Sequence, residues 1–413
     1  MFKSNIKYYI LPFLDLIIVI YLSSSFYLLS IRGTVYLLIL LIYSFLRFMV
    51  LFFAKNIKFS FIKTIFLLIV LTLTIFTFLY NSEASFYDYT ILWIIIISSY
   101  LLSHNNYNKL LRQIVQYVGI FISGFALISF MFYLIIPVET FSLFFQVTRN
   151  KTGFDVYNLL FSVLPVIPLF RNFGLFWEPS AFGIYLLFFL FFELFSNNLN
   201  LKVLLLYVIS IFSTLSTTAY IGLFMIMGLF FIRTVFRSKL SSNQRFLLLS
   251  FFISIPIVFL IYYFLPSSYQ FILFGKLEIF FDELQFNPAF ISTLERLKSI
   301  QTLFLQMVLN PLFGLGYREF YLLPFNNSYT MNISTFFNLG ALFGVFFPIL
   351  ISTSFYLALN KIFKNGVFSF LSLLVFIILL STLDFHRNVS LYFLFFCSIN
   401  FLSKKSPGFL YYN

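Results

Sequence analysis

Apolar residues in this chain come in long unbroken runs, and polar or basic residues collect in the gaps between them. The runs do not alternate in polarity with period two, which excludes a membrane β-barrel. A helix of about 20 apolar residues crosses roughly 30 Å of hydrocarbon, and it satisfies its own backbone N–H and C=O groups there. Read this way, the pattern predicts spans near residues 8–30, 34–53, 61–80, 90–103, 114–137, 179–196, 201–215, 218–233, 246–265, 333–359, 367–383 and 389–403. The expected fold class is all-α: a polytopic membrane helix bundle of about 12 transmembrane helices, forming a single integral membrane domain over 1–413. The close pair 201–215 and 218–233 reads either as two spans or as one broken hairpin. Two segments carry no clear span, 138–178 and 266–332. Long segments of that kind are commonly functional loops.

Composition sharpens the class. Only 9% of the residues are charged and mean hydropathy is +1.00, against about 25% charged in a soluble domain. The first span is too long for a signal-peptide core and no small-residue cleavage site follows it, so it is expected to remain as an anchor. Cys397 is the single cysteine, so neither an internal disulfide nor a cysteine metal cluster is available. The 67 Phe, with many Ile, Asn and Lys, read as the bias of an AT-rich genome.

Charge then sets an orientation. With the N-terminus inside, 16 of the 26 basic residues fall in inner loops, among them Lys55, Lys58, Lys109, Lys202, Arg237, Lys361 and Lys404. No acidic residue shares those loops, and 11 of the 13 acids fall outside, with Asp15 and Glu193 inside spans. This positive-inside bias predicts an inner-membrane protein with both termini cytoplasmic and 138–178 and 266–332 as long outer loops. The net charge of +13 follows from that topology and gives no argument for a nucleic-acid partner.

Charges within spans are costly and are usually paired or functional. Asp15 lies about two turns from the inner start of the first span, and Arg47 about two turns from the inner end of the second, so an ion pair between antiparallel neighbours is expected. Glu193, near the end of its span, is expected to snorkel to the interface. Among outer residues, Arg171-Asn172-Phe173-Gly174-Leu175-Phe176-Trp177-Glu178-Pro179-Ser180 opens the span after the first long loop. Pro179 suits the first turn of a helix, and Glu178 then sits at its N-terminal mouth, where the dipole favours a carboxylate. Read plainly, this is a helix cap held by Arg171; read chemically, it is an Arg–Glu pair at the membrane surface that grips a phosphate and handles a proton.

In the second long loop, Ile291, Leu294, Leu297, Ile300, Phe304, Met307 and Val308 recur at helical spacing with Glu295, Arg296 and Lys298 between them. An amphipathic helix near the membrane surface is expected, ended by Asn310-Pro311. A glycine-containing turn follows, Leu312-Phe313-Gly314-Leu315-Gly316-Tyr317-Arg318, then Asn326-Asn327-Ser328-Tyr329. The last outer hairpin reads Asp384-Phe385-His386-Arg387-Asn388, where His386 is the outward histidine. No two histidines share a segment and no carboxylate pair has ligand spacing, so no metal site and no cofactor is expected.

Arg-x-x-Gly-x-Phe-x-Glu-Pro-Ser over Arg171–Ser180, the Ser/Thr-rich Ser213–Tyr220, and Arg296 followed by Asn310–Gly316 resemble, in that order, motifs of the O-antigen polymerase and ligase superfamily. The resemblance covers roughly 171–345; the first 130 residues match only in hydropathy. It implies a metal-independent membrane glycosyltransferase, an O-antigen polymerase of the Wzy type, acting at the periplasmic face on undecaprenyl-diphosphate-linked oligosaccharide. By resemblance, Arg171 and Arg296 contact the diphosphate, Arg318 is a weaker third contact, and Glu178 orients Arg171 or the acceptor. Asn326, Asn327 and Tyr329 are substrate-binding candidates. Relatives carry His-Asn near the end of the long loop where this chain has Asn326-Asn327; an amide is no general base, which leaves His386 as the candidate for that role. A chain-length regulator is an expected partner, beside membrane lipid. The alternatives are a ligase passing finished glycan to lipid A–core, and a flippase or transporter of lipid-linked oligosaccharide. Long outer loops and an apolar bundle favour surface chemistry over transport.

Overall fold

The computed structural model describes residues 6–23, 33–53, 60–81, 86–104, 111–145, 147–149, 155–159, 161–167, 171–176, 178–196, 199–235, 264, 288–323, 334–382 and 387–403. The side chains of 6–9, 33–34, 111–112, 235, 288–297 and 400–403 lie outside that set. The predicted span 246–265 falls almost wholly outside it, as do Asn326, Asn327, Tyr329 and His386.

The apolar runs form helices: α1 (Ile6–Ser23), α2 (Gly33–Phe53), α3 (Phe61–Tyr80), α4 (Phe86–Leu102), α5 (Leu111–Ile135), α7 (Pro179–Leu194), α8 (Leu201–Ser213), α9 (Thr217–Val235), α13 (Phe346–Phe363), α14 (Gly366–Leu380) and α15 (Val389–Ser403). Five of them, in α2, α3, α5, α9 and α13, are long and apolar enough to cross a membrane alone, and six shorter apolar helices accompany them. Between them lie α6 (Val138–Phe144), α10 (Pro288–Leu309), α11 (Gly316–Leu322) and α12 (Thr335–Phe343). Exposed Leu38, Ile42, Leu46 and Val50 on α2, and Ile65, Leu68 and Phe76 on α3, are apolar faces that suit hydrocarbon as solvent.

Contacts between helix termini sort the bundle into two ends. At one, Ser23 at the end of α1 meets Ser390 of α15 (Oγ to Oγ, 2.8 Å), and Asp88 of α4 pairs with Arg387 at 2.6 Å. At the other, Lys63 of α3 donates to the Ser103 carbonyl at 2.7 Å, Gln116 of α5 reaches Glu193 of α7 at 3.1 Å, and Arg233 of α9 lies over the rings of Phe195, Phe363 and Phe368 at 5.3, 4.8 and 5.5 Å. These contacts make α3, α4, α5 and α7 alternate in direction, as do α13, α14 and α15, while α9 and α13 both finish at the second end. α7 is buried around its circumference, with α5, α8 and α9 packed on it. The turn at 214–216 separates α8 from α9, which flank α7 as two distinct helices.

The expected Asp15–Arg47 pair forms: Arg47 Nε lies 3.1 and 3.2 Å from the two carboxylate oxygens, with Asp15 fully buried. Tyr43, which the sequence does not single out, adds a hydroxyl at 2.6 Å. Glu193 does not snorkel. It is 2% exposed and accepts from Gln116 Nε2 and from the Asn200 N–H at 2.7 Å, since burial with two donors satisfies a carboxylate without water.

The predicted span 333–359 is broken. α12 ends at Gly344, whose φ is +83°, and α13 starts afresh at Phe346. Tertiary contact is the cause: the segment after α10 enters the elbow, with Val345 N–H donating to Pro311 O at 2.9 Å and Leu315 N–H to Ala341 O at 2.7 Å. A Cβ at Gly344 would lie 2.4 Å from the Leu312 carbonyl oxygen. α10 ends where Asn310-Pro311 predicts. Its last turns are less polar outward than expected, with Phe304, Leu305, Val308 and Leu309 all more than half exposed.

The loop 138–178 contains more order than its sequence announces. After α6, strands β1 (Val147–Arg149), β2 (Asp155–Asn158) and β3 (Val163–Pro165) form an antiparallel meander in that order. Tyr157 and Leu164 pack with Phe130 and Tyr133 at the end of α5 and with Phe141 of α6, while Val156 and Val163 pack on Phe173. The meander thereby fixes the segment that leads into α7.

Candidate functional site

The segment 171–176 is built by hydrogen bonds on both flanks. On one side Val163 N–H donates to Gly174 O at 2.6 Å. On the other, Asn172 N–H donates to Ser213 O at 2.9 Å and Asn172 Nδ2 to Ser213 Oγ at 3.0 Å. Asn172 Oδ1 turns back to accept from Gly174 N–H at 2.9 Å. Gly174 has φ +53°, and a Cβ there would strike the Phe182 ring at 2.6 Å, so this position requires glycine.

Arg171 serves the end of α8. Its Nε donates to Thr214 O at 3.3 Å and its Nη2 to Leu215 O at 2.9 Å. The last carbonyls of a helix lack intrahelical partners and carry the negative end of its dipole, so a guanidinium is well placed there. Leu215 takes the left-handed conformation, φ +45°, to close the turn. Two of the five N–H donors of a guanidinium are thus used. The half-buried Arg171 has its ionisation drawn down by burial and restored in part by the charge of Glu178 nearby. Glu178 occupies the N-cap of α7 without a side-chain cap bond, and Pro179 takes the first helical position. Arg171, Glu178 and the Ser213–Tyr220 segment therefore share one locus; the Arg171 hydrogen bonds go to backbone carbonyls.

A second cluster lies at the same end of the bundle. Arg387 donates from Nη2 to Asp88 Oδ1 at 2.6 Å and to Tyr321 OH at 2.7 Å, and from Nε to Tyr317 OH at 3.3 Å. Its guanidinium lies over the Tyr317 ring at 4.3 Å. Burial opposes charge on Arg387, but Tyr317, Tyr321 and Asp88 outweigh it and hold the guanidinium protonated beyond its ordinary range. Tyr317 and Tyr321 belong to α11, directly after the Asn310–Gly316 turn, so this cluster ties that turn to α4 and α15. The next residue, Asn388, accepts from Tyr185 OH at 3.2 Å; Tyr185 is on α7 and stacks on Phe176 at 4.4 Å. The two clusters are linked through α7.

The remaining sequence candidates divide. Arg318 is exposed on α11 beside Glu319. The backbone of Arg296 lies in α10, and its side chain is outside the described set. Asn172, Asp88, Tyr317, Tyr321 and Arg387 are not site residues on sequence reasoning alone; the Tyr317/Tyr321 spacing of one helical turn is the available signal. Among the described residues no three His, Cys, Asp or Glu side chains converge. Comparison with known protein families, curated proteins and solved structures finds no match for this chain.

Proposed function

We propose that this chain is a membrane glycosyltransferase of the polymerase type, extending lipid-diphosphate-linked glycan at the outer face of a bacterial inner membrane. The observation that carries the reading is the bonding of Arg171 to the Thr214–Leu215 turn, beside Glu178 at the mouth of α7. Two of the three sequence motifs meet there, and the third leads into α11, tied to the same end by Arg387. In this reading that end is periplasmic, both termini are cytoplasmic, and 246–265 supplies a twelfth span.

The chemistry needs few groups. A hydroxyl of the newly flipped unit attacks the anomeric carbon of the growing glycan; the new C–O bond forms as the bond to the lipid diphosphate breaks, and the diphosphate leaves with the electron pair. Cationic donors stabilise that leaving group, a task for remaining N–H groups of Arg171 and for Arg296, with Arg318 further out. The hydroxyl proton goes to a base, for which Glu178 is the described carboxylate at the mouth of α7 and His386 the imidazole in the hairpin beside Arg387. Asn326, Asn327 and Tyr329 are the proposed sugar contacts, and a chain-length regulator the proposed partner.

The test is the lipopolysaccharide banding pattern and the lipid-linked glycans of a strain lacking this chain. Core bearing a single repeat unit, with the ladder gone, is the expected result. Bare core overturns it: lipid-linked polymer accumulating outside assigns a ligase, and single units trapped inside a flippase.

A further inference from the structure

The turn between β2 and β3 reaches the middle of a helix long enough to cross a membrane. Phe161, in that turn, packs on Phe121 and Phe125 of α5 at 5.1 and 5.6 Å between ring centroids, and on Tyr21 of α1 at 5.7 Å. The apolar span of α5 runs from Gln113 to Ile135. Phe125 therefore lies roughly 15 Å below its Ile135 end, at about 1.5 Å per residue.

Helix lengths give the same depth. At the opposite end of the bundle, Gln116 of α5 and the Asn200 N–H that precedes α8 both bond Glu193 of α7, which puts them at one level. From there Ile135 stands about 28 Å up α5, close to the roughly 30 Å of hydrocarbon, whereas Ser213 stands about 20 Å up α8 and Pro179 about 21 Å up α7. Arg171 and Asn172 bond the end of α8, and Gly174 accepts from Val163 at the start of β3. The Arg171–Glu178 locus thus lies roughly 8 Å below the Ile135 end of α5, within the thickness of the hydrocarbon.

That depth restricts the surroundings. Irregular backbone there is tolerated only where protein buries it or where it lines a water-filled cavity, and charged side chains face such a cavity or a partner. The hairpin is buried by protein: Val156, Tyr157, Val163 and Leu164 are at most 3% exposed. The locus is more open, with Arg171, Glu178, Ser180, Leu215 and Thr218 all half-buried. Ser162 Oγ, fully buried beside Val163, has no hydrogen-bond partner among the described residues; water satisfies a buried hydroxyl of that kind.

We infer that the Arg171–Glu178 locus is the floor of a recess open to water at the Ile135 end of the bundle, sunk within the membrane. The re-entrant β2–β3 hairpin, the mouth of α7 and the α8–α9 turn bound it. An ionic or hydroxylated ligand of this locus reaches it through water and not across a flat interface. The inference does not rest on the glycosyl-transfer reading, since solvent access is measured without any reaction.

Cys397→Ser removes the native thiol, and Ser180→Cys then places one in the first turn of α7. Ile128→Cys is the control, on the 59% exposed apolar side of α5 and about 18 Å above Gln116, the same level as the locus. Each chain is reconstituted in phosphatidylcholine vesicles with a charged, membrane-impermeant methanethiosulfonate on both sides, so that orientation does not enter. A thiol reacts as its thiolate, which forms in water and not in hydrocarbon. Ser180→Cys is expected to react at least tenfold faster than Ile128→Cys. A rate no faster than the control overturns the inference: if both are slow there is no recess, and if both are fast the locus is not sunk. Thr218→Cys, at the start of α9, takes the place of Ser180→Cys if that variant does not fold, with the same expectation.

Discussion

Arg171 donates to the carbonyls of Thr214 and Leu215, so the residue that opens one motif closes the turn that begins the next. Its position in the proposed chemistry and its role in holding α8 to α7 are therefore inseparable in an alanine variant. Arg171→Ala should lose the polysaccharide ladder and also lower stability by about 1–3 kcal/mol, the usual cost of removing charged hydrogen bonds. Arg171→Lys keeps the charge but not the planar fork, and should recover part of the stability while the ladder stays weak. Thermal unfolding in detergent, read beside the banding pattern, separates the two; an unchanged unfolding temperature in Arg171→Ala would discard the capping role.

Arg387 makes a second such tie, and its consequence is mechanical. Tyr317 and Tyr321 hold α11 against α4 through this guanidinium. Arg387→Lys should release α11 by about 1.5–3 kcal/mol, a tenfold or greater rise in its open population. Exposed Arg318 on α11 supplies the reporter, because trypsin cleavage after it should accelerate correspondingly. Cleavage at the wild-type rate would show that Arg387 does not restrain α11.

Much of the bundle is legible from hydropathy because lipid imposes one requirement, a continuous apolar helix, on each span. The Asp15–Arg47 pair is legible for the same reason: depth in antiparallel helices follows from residue counts. The partners of Arg171 are not legible, since they are backbone carbonyls and carry no residue signature. The meander escapes detection because strands of three or four residues, such as Val147–Arg149, are too short to show period-two alternation. The break at Gly344 is likewise invisible, because its cause, the Leu312 carbonyl, comes from a segment well upstream in the chain.

Gly344 allows that cause to be tested. Gly344→Ala places a Cβ against the Leu312 carbonyl at φ +83° and should cost about 2 kcal/mol or more, from backbone strain and displaced contacts. Gly228→Ala in α9 is the control: no atom lies within 4 Å of its added Cβ, and helical alanine is favoured over glycine by about 1 kcal/mol. Opposite shifts in unfolding temperature are expected. Equal shifts would mean that the α12–α13 elbow is not held by the loop.

Removing one member of the Asp15–Arg47–Tyr43 group should be worse than removing the ion pair. Arg47→Ala leaves a fully buried carboxylate and should destabilise by about 3–5 kcal/mol. Asp15→Ala combined with Arg47→Ala leaves no uncompensated charge and should cost less than the single variant. A double-mutant cycle in detergent measures this coupling; additive losses would mean that the two side chains do not stabilise each other.

His104 sets the pH dependence expected at the opposite end. The ring is 6% exposed after α4, edge-on to Tyr100 and Phe48, at 4.5 and 5.6 Å between centroids. Burial, with the Lys63 charge nearby, pushes its pKa down to about 4 from an ordinary 6.5. The folded chain therefore holds the neutral imidazole, while the unfolded chain takes up a proton as pH falls below 6.5. The contribution is fully present above that value and is lost between pH 6.5 and about 4, at about 1.4 kcal/mol per unit. The loss reaches about 3 kcal/mol near pH 4. Carboxylates also titrate in that range, so the relevant quantity is the difference between wild type and His104→Gln. The wild-type unfolding temperature should fall more steeply on acidification from about pH 7 to about 4.5, while the variant lacks that component. Parallel curves for the two proteins would place His104 in a solvated environment and contradict the burial seen here.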